Sequence, residues 1–155
     1  LVSFASTTIK SAEGIENAVG IYAVADGTGN VTITGGSIDV TNNGVFSASS
    51  STFTITDASI KGSTGIDANS GGGTFNISGS TIEGISSSGI NNNSGTVTLT
   101  NSTVTGASYG VSNNKGTLNV TGGSITGNGS SHYGINNGGG TVDVKTSKIT
   151  GTYGG

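Results

Sequence analysis

The chain has no cysteine, no proline, no methionine and no tryptophan, and its five cationic side chains are all lysines, so arginine is missing too. Without cysteine there is no disulfide framework, no thiolate metal site and no cysteine nucleophile. That is compatible with export in an unfolded state and does not by itself fix a compartment. Without proline, nearly every backbone amide is free to join a β-ladder. Without arginine, no guanidinium fork is available to hold a carboxylate or stabilise a developing charge. Charge of either sign is scarce: 8% of residues are charged and the net charge is −3. Such a surface suits neither nucleic acid nor anionic lipid, so no nucleic-acid partner is expected. No run is apolar enough for a transmembrane helix, and no direct membrane insertion is expected of this stretch.

What is present is a repeat. Apolar residues fall into four columns about 22 residues apart. The first is Val2, Val31, Phe53, Phe75, Val97, Leu118 and Val142. The second, two residues later, is Phe4, Ile33, Ile55, Ile77, Leu99, Val120 and Val144. The third is Ile9, Ile38, Ile60, Ile82, Val104, Ile125 and Ile149. The fourth, after a glycine, is Ile21, Val45, Ile66, Ile90, Val111 and Ile135. A step of two within the first strand is strand geometry, and the β-branched and Phe side chains suit a pleated surface. No segment has the 3.6-residue stripe of an amphipathic helix. One repeat cannot bury its own apolar face, so repeats must stack into a narrow continuous core. The expected fold is all-β: a parallel β-helix (solenoid) of about seven turns of roughly 22 residues, with three short strands per turn. An apolar content of only 30%, with 30 glycines for the corners, fits such a core better than a globule.

Residues 1–155 read as a single solenoid domain within a longer chain, irregular over 1–28 and regular over 29–155. The insertion from Ser11 to Val19 is expected to be a loop or short helix lying over the open end of the core, since uncovered edge strands recruit other chains. Asn92, Asn113 and Asn137 fall two positions after the fourth column. On strict alternation they point inward as an internal amide ladder; the plainer reading is ordinary turn asparagines.

The turns GNVTITGGSIDV, GTVTLTNSTVTG and GTLNVTGGSITG resemble those of right-handed parallel β-helices of the pectin-lyase-like superfamily, and most closely those of bacterial autotransporter passenger regions and related adhesins. Gly35-Gly36-Ser37-Ile38 and Gly122-Gly123-Ser124-Ile125 resemble a GG-[AS]-I tetrapeptide of such passengers. The resemblance runs over the whole chain. It implies a right-handed coil and a shaft that is extracellular or on the bacterial cell surface, working in adhesion.

That superfamily also holds polysaccharide-cleaving enzymes, so the acids matter. Glu13, Glu16, Asp26, Asp39, Asp57, Asp67, Glu83 and Asp143 include no two that share a strand two residues apart. No catalytic residue, cofactor or metal ligand is nominated, and the chain is not expected to be an enzyme. Asp39, Lys61 and Glu83 share a column and read as a solvated charge ladder. His132 stands alone in the longest bend and reads as a loop histidine.

Two surface features remain. Tyr109, Tyr133 and Tyr153 each precede the glycine of the fourth column, and Tyr22 and Phe46 form a second aromatic pair one turn apart. Such rows hold sugar rings or partner side chains, or they stack on themselves to protect a strand edge. Thr32, Thr34, Thr54, Thr56, Thr98, Thr100 and Thr121 form ranks that look like those of ice-binding β-solenoids, interrupted by Asn76, Ser78, Asn119, Asp143 and Lys145. The expected role is therefore a structural shaft and adhesion module. Its partner would be a host or neighbouring-cell surface protein or glycan, with self-association a further option. The alternatives are an ice-binding solenoid, or a non-catalytic fragment of a polysaccharide-active β-helix protein.

Overall fold

The computed structural model of the protein describes residues 1–24, 26–130 and 132–152. All its regular elements are strands, and they form three parallel sheets around one core. Sheet I holds seven strands, from Val2–Ala5 to Thr141–Lys145. Sheet II holds seven, from Thr8–Lys10 to Lys148–Thr150, and sheet III six, from Ile21–Ala23 to Ile135–Asn137. The chain visits the sheets in the order I, II, III on every turn. It makes six complete turns and two strands of a further one among the described residues, slightly under the expected seven.

Register follows the apolar columns residue for residue. Val2 pairs with Val31, Val31 with Phe53, Phe53 with Phe75, Phe75 with Val97, Val97 with Leu118 and Leu118 with Val142. The third and fourth columns pair likewise along sheets II and III. Apart from Val2 and Val144 in the end strands, which are exposed, these side chains face inward as one cluster, in which Phe53 and Phe75 stack with centroids 4.5 Å apart. A one-residue slip would turn every column outward, and this fixes the register.

Two corners explain the small residues. Between sheets I and II the first corner residue is left-handed in each of the seven turns: Ser6, Gly35, Asp57, Gly79, Asn101, Gly122 and Thr146, with φ between 48° and 69°. Four of these are not glycine, and Asp and Asn tolerate that region best. The next residue is small and buried in the middle turns, where Ser80 and Ser102 bridge rungs: Ala58 N donates to Ser80 Oγ at 3.1 Å and Ser80 N to Ser102 Oγ at 3.2 Å. Between sheets II and III stands a column of glycines. A Cβ on Gly110 would lie 2.4 Å from Ile125 Cγ2 and 2.6 Å from the Gly134 carbonyl oxygen, because the isoleucine of the next turn fills that space.

The insertion is a loop, one of the two forms expected, and it packs Ala18 against the core while leaving part of the end open. Ser11 N donates to the Asp39 carbonyl, Ala18 N to Thr41 Oγ1, Thr41 Oγ1 to the Ile15 carbonyl, and Asn42 N to the Ala18 carbonyl. These bonds fasten it sideways against the second turn. Thr41 and Asn42 offer a polar anchor that the apolar end lacks. The first turn is left with an open cleft of about 440 Å³ lined by Val2, Phe4, Ile21, Val24 and Val31.

Candidate functional site

The inner corner between sheets III and I carries the asparagines. Asn92 and Asn113 are fully buried, and Asn92 Nδ2 donates to Asn113 Oδ1 at 2.8 Å. Asn113 Nδ2 donates to Asn137 Oδ1 at 2.9 Å. Each amide also closes its own corner, with Nδ2 donating to the carbonyl three residues on at Gly95, Gly116 and Gly140. This is a structural spine: it satisfies corner backbone, and it is buried at Asn92 and Asn113 and reaches solvent only at Asn137. Earlier turns place Ala23, Ser47 and Ala68 in that column, and there the Ser47 and Ser49 hydroxyls lie 3.2 Å apart while Ser51 N donates to Ser49 Oγ.

On the outer surface the aromatics fall into two groups. Tyr109 and Tyr133 lie nearly parallel, with ring centroids 6.2 Å apart and an interplanar angle of 11°; Tyr133 is 37% exposed. Tyr153 lies outside the described residues. His132 stands edge-on to Tyr109 at 5.4 Å, so the solitary histidine belongs to this cluster. Nothing in the one-dimensional pattern marked it, because the bend that carries it has no counterpart in other turns. The second group is Tyr22 and Phe46, stacked at 4.9 Å and 13°, with Tyr22 61% exposed.

The Tyr22–Phe46 column continues along sheet III as Asp67, Asn91, Ser112 and Asn136. Asn91 Nδ2 donates to Asp67 Oδ1 at 3.1 Å. Burial raises the Asp67 carboxyl above its ordinary value, and the bond from Asn91 opposes that. Sequence reasoning overlooked this pair. The signal was available: both residues directly follow a fourth-column isoleucine.

The outer face of sheet I carries more threonine than the nominated ranks. Register sets Thr52, Thr74, Thr96, Thr117 and Thr141 on successive rungs beside Asn30, a rank the sequence reading missed because it precedes the first inward residue. The middle rank runs Thr32, Thr54, Asn76, Thr98, Asn119 and Asp143, and the outer one Thr34, Thr56, Ser78, Thr100, Thr121 and Lys145. Charge on these ranks is confined to the last strand, where Lys145 Nζ and Asp143 Oδ2 pair at 2.7 Å. On sheet II, Lys10, Asp39, Lys61 and Glu83 are successive neighbours, and Lys61 and Glu83 pair at 3.4 Å. Both of those side chains are well exposed, so the pair contributes little to stability. Among the described residues no three His, Asp or Glu side chains gather as metal ligands would.

The chain matches no family model, no curated protein and no solved structure. Its class is therefore defined by the fold alone: a parallel β-solenoid with three strands per turn.

Proposed function

We propose that this solenoid is a rigid shaft and binding module displayed outside the cell, built like a bacterial autotransporter passenger, which grips a surface protein or glycan through its tyrosine edge. The turn sequences quoted above support the family part of the reading. The observation that carries the binding part is the Tyr109–Tyr133 stack, a partly exposed aromatic patch at the edge of sheet III. Stacked rings bring large contact area at low entropic cost, and such patches mark contact sites. The test is binding of the purified chain to glycan and surface-protein arrays beside Tyr133→Ala. Loss of the signal in the variant supports the edge as the contact; an unchanged signal removes it.

One observation favours a second reading, ice binding by the outer face of sheet I. Three threonine-rich ranks run side by side, at about 4.8 Å between rungs and about 7 Å between ranks, and strands Asn30–Thr34 through Thr117–Thr121 carry no charge on that face. A flat lattice of methyl and hydroxyl groups can hold ordered water. Thermal hysteresis that vanishes in Thr98→Lys would select this reading, and none in the unaltered chain would discard it.

A further inference from the structure

The Tyr22–Phe46 stack ends abruptly. The two rings sit on successive rungs, nearly parallel, so one face of Phe46 looks at Tyr22 and the other toward the next rung. That rung presents Asp67, directly paired with Phe46 in register. Asp67 is shorter than an aromatic side chain, and its Oδ1 takes a hydrogen bond from Asn91 on the far side, away from the ring. A π-face and a half-buried carboxylate thus stand on adjacent rungs. No lysine of the described residues pairs with Asp67; the ion pairs there are Lys61–Glu83 and Lys145–Asp143.

Charge along the shaft points the same way. Residues 1–67 hold Lys10 and Lys61 against Glu13, Glu16, Asp26, Asp39, Asp57 and Asp67, a side-chain net of −4. Residues 68–155 hold Lys115, Lys145 and Lys148 against Glu83 and Asp143, a net of +1. The half that carries the ring and the carboxylate is the half that attracts cations.

We propose that Phe46 and Asp67 form a receptor notch for a guanidinium group, supplied by an arginine side chain of a partner protein. A planar cation continues the aromatic stack over Phe46 and reaches the Asp67 carboxylate with its N–H fork. An ammonium would meet the charge but not the plane. The chain contains no arginine, so the group must come from elsewhere. This notch lies about three rungs, roughly 14 Å, from the Tyr109 level, and it stands or falls independently of the tyrosine edge.

The test uses the whole chain and three blocked tripeptides, Gly-Arg-Gly, Gly-Lys-Gly and Gly-citrulline-Gly, titrated while amide resonances are followed at low salt. The Arg peptide should give saturable shifts centred on Phe46, Asp67 and Asn91. Affinity should fall by about five-fold or more with citrulline, with Asp67→Asn and with Phe46→Leu. Added salt should weaken it further. Asn is isosteric at this outward position, and the dispersed spectrum of each variant reports its folding directly. Absence of saturable shifts, shifts centred elsewhere, or equal binding of the citrulline peptide would overturn the proposal. Equal binding of the Lys peptide would overturn the assignment to a guanidinium.

Discussion

Asn113 accepts one side-chain hydrogen bond, from Asn92, and donates to three acceptors, Asn137 Oδ1 and the carbonyls of Gly116 and Thr141. It is wholly buried, so truncation removes these bonds and leaves a cavity in the corner. Asn113→Ala should cost about 2–3 kcal/mol, measured by urea unfolding. An unaltered midpoint would mean that the spine is ornamental. Asp67 gives a prediction of opposite character. Burial holds its folded-state value above the unfolded one, so its ionised form weakens the fold. The relative stabilisation is fully present below the unfolded value and is lost as pH rises through the folded one. Asp67→Asn should therefore leave stability unchanged in acid and raise it modestly near neutrality. A variant weaker than the parent at neutral pH would show that the Asn91 bond outweighs the desolvation.

At the scale of the strand, the glycine before each sheet III strand sets how closely one turn seats on the next. Gly110→Ala puts a methyl into the Ile125 side chain and the Gly134 carbonyl, and the backbone oxygen cannot retreat. We expect a loss of about 2–3 kcal/mol by thermal or urea unfolding, and Gly110→Ala combined with Ile125→Ala should lose less than the sum of the two single losses. The strands themselves were legible because two periods coincide: a step of two places Val97 and Leu99 on one side, and a step near 22 sets Leu118 over Val97. What stayed hidden depended on where a strand begins or on contacts without a repeat. Thr52 and its rank escaped because they lie one residue before the first inward position. The left-handed state of Asp57 and Asn101 escaped because glycine fills that corner in the other interior turns. The insertion was expected over the end of the core, but Thr41 and Asn42 satisfy its backbone at the flank. Of the candidate contacts, the stacking of Tyr22 on Phe46 and Tyr109 on Tyr133 could be read from spacing alone. The joining of His132 to Tyr109 could not, whereas that of Asn91 to Asp67 was legible in their shared position after a fourth-column isoleucine and was overlooked.

For the molecule as a whole, the ordering I, II, III repeated rung after rung has a mechanical meaning. Ladder hydrogen bonds between neighbouring turns run along the shaft axis, and adjacent rungs are joined by only one circuit of chain. A pull on the two termini loads the outermost rung alone, which peels before the one beneath it is stressed. Each peeled circuit of about 22 residues pays out about 70 Å of slack. Force spectroscopy should therefore record a sawtooth of small, equally spaced ruptures; one rupture releasing the entire length would rule out peeling. A coil of this kind yields by instalments, keeping its remaining turns intact while it absorbs a jerk.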